Sequence, residues 1–416
     1  MREPLHPNKV NKLKDIIKSC LLDTYIENDQ LNFGKSTESY DKKADDIGKH
    51  IERLESLKDE LNKHKSYKID LYIIFTAYDD AIFYYFHYIN AKQTENLLLK
   101  DLPECDLTKL TDFIFTYFQQ IPGNNTVTFF LKHISLPIVT TDHITVERQA
   151  DPSSGQNDKN VTTVTVTSKG YYTPFSDDSF MKEPYLALNI FVYFLLTKKI
   201  LQHLPMLFPQ GRSIHRHAIN KHEIDVFHVE ITNLDYQKEI QSHTLPLAMS
   251  KYLSDLKNIN VSKDNNGFDA WVETITTIVE STDSLLANDT PEAKRIKSAI
   301  DWYMNSKFMT DNTMSFIQIC MGLEALLGEG DKNEGNLTSA LADRCAYLIG
   351  KGMADRRQIK ATFKKIYTLR SEIVHGSTNQ LTFSDQKLSF TALTYLNTII
   401  QKELRFLIDL QVGVDK

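Results

Sequence analysis

Residues 359–376, IKATFKKIYTLRSEIVHG, carry the strongest indication of the fold in this chain. Their apolar residues recur every three or four positions, as on one face of an α-helix. Ile359, Phe363 and Ile366 belong to that apolar stripe, and at about 100° per residue Arg370 falls in its middle. A guanidinium on a buried face is costly unless something pairs with it. Arg370 is therefore either a structural ion-pair partner or a functional residue held inside a helical bundle.

The same helix is followed by a histidine with a different environment. Gly376 is typical of the residue just after a helix, which places His375 at the helix C-terminus. The helix dipole favours a protonated imidazole there, and histidine changes its charge near neutral pH. His375 therefore suits general acid–base catalysis, whereas the permanent charge of Arg370 suits stabilisation of a phosphoryl anion. Together the two residues predict cleavage of RNA without a metal ion.

Arg370 and His375 do not point in the same direction. Side chains five positions apart on a helix project about 140° apart, with a rise of about 7.5 Å. A two-fold dimer would bring two such pairs into one cleft, because an isologous interface repeats each residue on both sides. The pattern therefore predicts a homodimer with a composite site.

Four blocks of sequence follow one another in the C-terminal part of the chain. The blocks are 300–303 (IDWY), 315–328 (SFIQICMGLEALLG), 341–347 (LADRCAY) and 366–376 (IYTLRSEIVHG). Together and in this order they resemble the Apea-like branch of the HEPN superfamily. The last block contains the R-x4-H signature from Arg370 to His375, and the resemblance covers about 290–412. It implies an all-α bundle that is usually dimeric and is often a metal-independent ribonuclease of phage defence or toxin–antitoxin systems. Active members often have Asn, Asp or His after the arginine, where this chain has Ser371.

A basic run leads into this motif. Positions 351–370 contain seven basic residues and one acidic residue. Attraction of RNA phosphates explains such a run, and so does a solvated lysine face. Beside the motif we expect Lys360, Lys364 and Lys365 to contact RNA.

Four further residues are candidates for the site. Tyr367 is predicted to stack on a base or, alternatively, to pack within the bundle. Ser371 is the third catalytic candidate, since its hydroxyl can bond a phosphate or the preceding turn. Glu324 and Arg344 are charges among apolar residues, so a Glu324–Arg344 or Glu324–Arg370 ion pair would orient the site without taking part in the chemistry.

Composition limits the classes of protein that fit. The 416 residues are 41% hydrophobic and 25% charged, as in a soluble globular protein of two or three domains. The net charge of −6 excludes an indiscriminate nucleic-acid binder. The N-terminus lacks an apolar signal core, and the most apolar stretches are too short or too charged to span a membrane. We therefore expect a cytoplasmic protein without a membrane partner.

The order of patterns along the chain predicts a predominantly α-helical protein of three regions. Residues 1–118 are predicted to be helical, 119–265 to be mixed α/β, and 286–412 to be the HEPN-like bundle. Alternating residues predict a strand at 161–167, and an apolar helix is predicted from Pro184 to about Leu204. The sequence Thr290-Pro291-Glu292 predicts the start of a further helix.

Glycine-rich nucleotide loops and a nucleophile-elbow motif are absent from the sequence, and no cofactor is predicted. Four histidines, His215, His217, His222 and His228, lie close together in the middle region. On a strand, His215 and His217 would share one face and suit a metal, although exposed strand histidines are the simpler explanation.

The favoured prediction is an RNA-cleaving effector, in which some 290 preceding residues respond to a regulatory partner or a phage-derived trigger. The alternative is a catalytically silent HEPN module for binding or assembly in a defence or toxin–antitoxin complex.

Overall fold

The structure is a computed structural model of the chain, and it describes most of the residues. The residues outside the description are 1–5, 23, 28–29, 34–39, 64–70, 87–96, 120, 122, 133, 151–159, 172–179, 205–227, 234–237, 260–264, 329–336 and 415–416. The described residues are mostly helical and include small antiparallel sheets. They form two compact units. The N-terminal unit comprises Met1–Asn125, Lys169–Phe180 and Asn233–Gln237, and the C-terminal unit comprises the remaining residues.

The N-terminal unit consists mainly of helices. Its helices are α1 (Pro7–Leu21), α2 (Tyr40–Asn62), α3 (Leu71–Tyr84) and α4 (Glu104–Gln119), and its short strands are β1 (Thr24–Glu27), β2 (Gln30–Phe33) and β3 (Leu97–Leu98). β1 lies between β2 and β3 and runs antiparallel to both. The helix α1 packs on α2 and α4, which also contact α3. The sequence predicted the helices of this region but did not predict the three-stranded sheet.

A six-stranded sheet, with strand order β10-β9-β4-β7-β6-β5, belongs mainly to the C-terminal unit. Its strands are β4 (Gly123–Leu131), β5 (Val139–Thr140), β6 (Ile144–Ala150), β7 (Asn160–Gly170), β9 (His228–Asn233) and β10 (Lys238–Thr244). The strand predicted at 161–167 is confirmed as β7, which pairs antiparallel with β6. A separate two-stranded sheet pairs β8 (Leu201–His203) with β11 (Leu256–Asn258).

Eight helices complete the described part of the C-terminal unit. They are α5 (Lys182–Thr197), α6 (Leu247–Ser254), α7 (Asn265–Ala287), α8 (Pro291–Phe308), α9 (Asn312–Leu327), α10 (Leu337–Ile349), α11 (Met353–Val374) and α12 (Phe383–Val414). The predicted start of α8 is confirmed, because the Thr290 side chain accepts a hydrogen bond from the Ala293 amide at 3.3 Å.

The prediction that the apolar helix continues to about Leu204 is wrong. The helix α5 ends at Thr197, and Lys199 adopts the left-handed conformation with φ of +58°. The chain then enters β8, whose hydrogen bonds go to β11 more than fifty positions further along. The helix end is a Schellman motif, because the Lys199 amide donates to the Leu196 carbonyl at 3.1 Å and the Ile200 amide donates to the Leu195 carbonyl at 2.9 Å. Lysine rather than glycine occupies the left-handed position, so the usual sequence signal for such an ending is missing before the prolines at 205 and 209.

The helix α9 occupies the centre of the C-terminal bundle, where it contacts α8, α10, α11 and α12. Gly322 permits close packing of α9 on α8 and α12. A Cβ atom at that position would lie 2.8 Å from the Leu396 Cδ2 atom and 3.3 Å from the Trp302 Cβ atom. Glu324 lies two positions further along α9, which also contacts α11.

Candidate functional site

The C-terminus of α11 has the geometry that Gly376 predicts. Gly376 has φ of +75°, its amide donates to the Ile373 carbonyl at 3.1 Å, and the Ser377 amide donates to the Glu372 carbonyl at 2.8 Å. A left-handed glycine with these two bonds is a Schellman motif. His375 is consequently the residue that caps the helix, and its side chain is exposed. The motif fixes the direction in which the chain, and with it His375, leaves the helix.

Arg370 lies on the inner face of α11, toward α9. Its Nη2 atom lies 3.3 Å from Glu324 Oε1, and both side chains are 28% exposed. Of the two ion pairs that the sequence predicts for Glu324, this is the one that forms. Arg344 instead donates a hydrogen bond to the Leu327 carbonyl at the end of α9. The contact with Glu324 offsets the cost of placing a guanidinium among apolar side chains.

Two buried groups surround this ion pair. Tyr367 is 7% exposed, and its ring stacks on Phe363 with centroids 4.8 Å apart. Burial raises the pKa of the Tyr367 hydroxyl, and the charge of Glu324 raises it further. Burial likewise raises the pKa of the Cys320 thiol, assisted by Glu324 and opposed by Arg370. Both groups therefore stay protonated at neutral pH. The ring of Tyr367 packs inside the bundle, and its stacking on a base stays a prediction.

A shallow depression of about 360 Å³ lies on the outer side of the same helix end. It is lined by Thr338, Tyr367, Thr368, Ser371, Glu372, His375 and Ser377. Two of the three predicted catalytic residues, Ser371 and His375, thus meet in one place. Arg370 is not one of the described residues that line this depression. The helical period accounts for the separation, because Arg370 and His375 project about 140° apart.

The predicted RNA-contacting lysines divide into two sets around α11. At about 100° per residue, Lys360, Lys364, Ser371 and His375 fall within about 60° of one another, whereas Lys365 lies about 80° or more outside that range. Lys364 and Lys365 are exposed. Lys360 is half-buried, and its Nζ atom pairs with Asp343 Oδ1 at 2.5 Å. Lys364 therefore carries the most available charge on the side of His375.

Sequence reasoning missed four residues of the depression, namely Thr338, Thr368, Glu372 and Ser377, the last of which follows Gly376 at the helix end. Thr368 and Glu372 lie one helical turn from Ser371 or His375, so the period of α11 was a usable signal for them. Thr338 comes from the start of α10, and only the packing of α10 on α11 brings it here.

The histidines at positions 215, 217 and 222 lie outside the described residues, as does the side chain of His228. In the part of the chain that is described, no three His, Cys, Asp or Glu side chains group in a way that could hold a metal ion. The described helices include none long and apolar enough to cross a membrane.

Comparison with protein-family models, curated proteins and solved structures finds no match to this chain. The resemblance to HEPN domains therefore depends on the quoted sequence blocks alone.

Proposed function

We propose that this chain is a metal-independent endoribonuclease of HEPN type, with its site at the C-terminus of α11. The observation that carries the proposal is the meeting of His375 and Ser371, both exposed, in one depression beneath a fixed helix end. Lys364 adds positive charge on the same side of the helix. A permanently charged guanidinium, that of Arg370, is held one turn away by Glu324.

The proposed reaction is attack of a ribose 2′-oxygen on the adjacent phosphorus atom. His375 accepts the 2′-hydroxyl proton as the new P–O bond forms, and the bond to the 5′-oxygen breaks as that oxygen takes a proton from a water molecule, which regains one from the protonated His375. The products are a 2′,3′-cyclic phosphate and a 5′-hydroxyl. Arg370 stabilises the negative charge that accumulates around phosphorus. Ser371 donates a hydrogen bond to a phosphate oxygen.

A second copy of the chain would bring an Arg370 and a His375 to the same phosphate. Arg370 and the depression lie on different sides of α11, so we propose a homodimer in which two Arg370 and His375 pairs share one cleft. Mixing the inactive variants Arg370→Ala and His375→Ala tests the dimer. Restored cleavage is expected if residues of both protomers complete one site. Activity no greater than that of either variant, from a demonstrated mixed dimer, would contradict the composite site.

The cellular role is part of the proposal. An RNA-cleaving enzyme of this kind fits a cytoplasmic defence or toxin effector, in which the N-terminal unit and the sheet restrain the site until a regulatory partner or phage-derived trigger binds. The first test of such a role is growth arrest on expression, relieved by His375→Ala.

The chemistry is tested on matched substrates in excess EDTA. One RNA is compared with the same RNA carrying a single 2′-deoxynucleotide at the cleaved position. The proposal predicts cleavage of the first substrate, with a cyclic phosphate end, and none at the substituted position of the second. Cleavage beside the deoxynucleotide, or loss of all cleavage with EDTA and its return with a divalent metal, would contradict the mechanism.

The second candidate is a catalytically silent HEPN module that binds RNA or a protein partner. The pairing of Arg370 with Glu324 at 3.3 Å favours it, because a guanidinium used for packing is less free to bind a phosphate. Ser371 also favours it, since active members of the resembling family often have Asn, Asp or His there. RNA that is bound but recovered intact after prolonged incubation, together with harmless expression, would select this function.

A further inference from the structure

A second opening lies at the other end of α11, near its N-terminus. This groove, of about 670 Å³, has Tyr347 of α10 and Met353, Arg356 and Arg357 of α11 in its lining, and we name it the Tyr347 groove. The Tyr347 side chain is 72% exposed and that of Met353 is 71% exposed. An accessible aromatic ring beside guanidinium groups can stack a nucleic-acid base and bind its phosphate.

Positive charge predominates in the Tyr347 groove. Five cationic side chains and two carboxylates line it, namely Arg295, Arg344, Arg356, Arg357 and Lys360 against Asp343 and Glu403. Part of this charge serves the fold, since Lys360 pairs with Asp343 and Arg344 bonds the Leu327 carbonyl. Arg356 and Arg357 have no carboxylate partner among the described residues, so their charges remain available to an anion.

The aromatic ring and one guanidinium are positioned by their neighbours. The Arg356 Cζ atom lies 5.3 Å from the centroid of the Tyr347 ring, in a cation–π contact. Gly350 makes room for the arginine, because a Cβ atom there would lie 2.4 Å from the Arg356 Cγ atom. The contact covers part of the ring and leaves most of the side chain open to a ligand.

An exposed stripe connects this groove with the proposed cleavage site. By the period of α11, Met353, Arg357, Lys364, Ser371 and His375 lie within about 40° of one another around the helix. All five are exposed. The distance along the axis from Arg357 to His375 is about 27 Å. Cations and hydroxyls along one face of a helix fit the phosphates of an extended single strand.

We propose that the Tyr347 groove is a second RNA subsite, which stacks one base of a single strand and binds its phosphates about 27 Å from His375. The inference rests on the proposed function, because the strand that reaches His375 is its substrate. A free nucleotide has the same base and phosphate chemistry. The stripe that continues to Ser371 and His375 favours the strand.

The test measures binding of the full chain to fluorescent single-stranded 2′-O-methyl RNA. These oligonucleotides lack the free 2′-hydroxyl nucleophile, so cleavage does not disturb the measurement. For a strand of about 12 nucleotides, Tyr347→Ala is expected to weaken binding by about 5-fold to 100-fold. Arg357→Gln is expected to weaken binding and to lower the slope of log K against log salt by about 0.7.

Matched controls come from exposed residues elsewhere in the C-terminal unit. Phe268→Ala removes an aromatic ring that is 55% exposed on α7, and Arg405→Gln removes an exposed arginine on α12. Phe268→Ala should change neither the affinity nor the salt slope. Arg405→Gln removes the same charge as Arg357→Gln, so it should show only the effect of net charge that both arginine variants share.

Three results separate the outcomes. Unchanged affinity and salt slope in both Tyr347→Ala and Arg357→Gln would overturn the subsite, even where His375 is shown to cleave RNA. If Tyr347→Ala weakens binding of a mononucleotide and of the long strand equally, the groove does not select a single strand and is a nucleotide site instead. A strand-specific loss supports the subsite, and it does so even if no RNA is ever cleaved.

Discussion

The two faces of α11 use their polar residues in opposite ways. On the inner face, Arg370 is paired with Glu324 at 3.3 Å, beside the buried side chain of Ile366. On the outer face, Ser371 and His375 are exposed at the edge of a depression. An inner charge has to be compensated by a partner, whereas an outer polar group keeps its hydrogen-bonding capacity for a ligand. The five-residue spacing therefore joins Arg370, which is expected to affect both stability and rate, to His375, which is expected to affect the rate alone.

The largest expected effect separates rate from stability on the outer face. His375→Asn is predicted to lower the RNA cleavage rate by about 10²-fold to 10⁴-fold, because the general acid–base group is lost. The free energy of unfolding should change by less than about 0.5 kcal/mol, since the side chain is exposed. Initial rates and urea unfolding measure the two quantities. His6→Asn is the matched control, because His6 is an exposed histidine that caps α1 and asparagine preserves that cap. Equal losses of rate in the two variants would remove His375 from the mechanism.

On the inner face, the Glu324–Arg370 pair is expected to contribute to the free energy of unfolding. Glu324→Gln is predicted to lower the free energy of unfolding by about 1 to 3 kcal/mol, because it leaves the Arg370 guanidinium without its ionised partner. A double-mutant cycle with Arg370→Met measures the coupling, which should be about 1 kcal/mol. Arg370→Lys keeps the charge but loses the planar fork, so it should preserve more stability than rate. A coupling energy indistinguishable from zero would show that the pair contributes nothing to the bundle.

A glycine substitution tests whether the helix end holds the outer face in place. Gly376→Ala is predicted to destabilise the protein by about 1 kcal/mol, because alanine is strained at a φ of +75°. Gly48→Ala provides the contrast: Gly48 lies within α2 with nothing near its Cβ position, so alanine there should stabilise by about 0.5 to 1 kcal/mol. Thermal or urea unfolding of both variants shows whether each substitution stabilises or destabilises the protein. A stabilising Gly376→Ala would contradict the Schellman ending.

The smallest effect is expected at Ser371. Ser371→Ala removes one hydroxyl from the depression, and a single neutral hydrogen bond is worth about 1 kcal/mol. Cleavage should therefore fall by about 5-fold, with unfolding unchanged. Steady-state rates at saturating RNA provide the measurement. A loss as large as that of His375→Asn would make Ser371 a principal catalytic group rather than an auxiliary one.

Local patterns predicted the features of α11 that depend on neighbouring residues in the chain. The apolar stripe from Ile359 to Ile366 identified its buried face, and Gly376 identified its end. Thr290 and Pro291 likewise located the start of α8, where they lie at the cap and the first position of the helix. Caps and helical periods are set within a few residues, so they are visible without the fold.

Features that depend on distant neighbours were not predictable in this way. The sequence left Glu324 with two possible partners, and only the packing of α9 on α11 selects Arg370 over Arg344. The end of α5 was not predictable for another reason, because Lys199 rather than a glycine occupies the left-handed position of its Schellman motif. The Tyr347 groove combines α10, α11 and residues of other helices, and no pattern within one helix indicates such a surface.

RNA cleavage in EDTA by the full chain, compared with its Arg370→Ala and His375→Ala variants, tests whether the end of α11 is a metal-independent ribonuclease site. We expect the wild-type protein to cleave RNA, and we expect either substitution to abolish cleavage while the protein stays folded. Cleavage that survives both substitutions would contradict the assignment of the site to the C-terminus of α11.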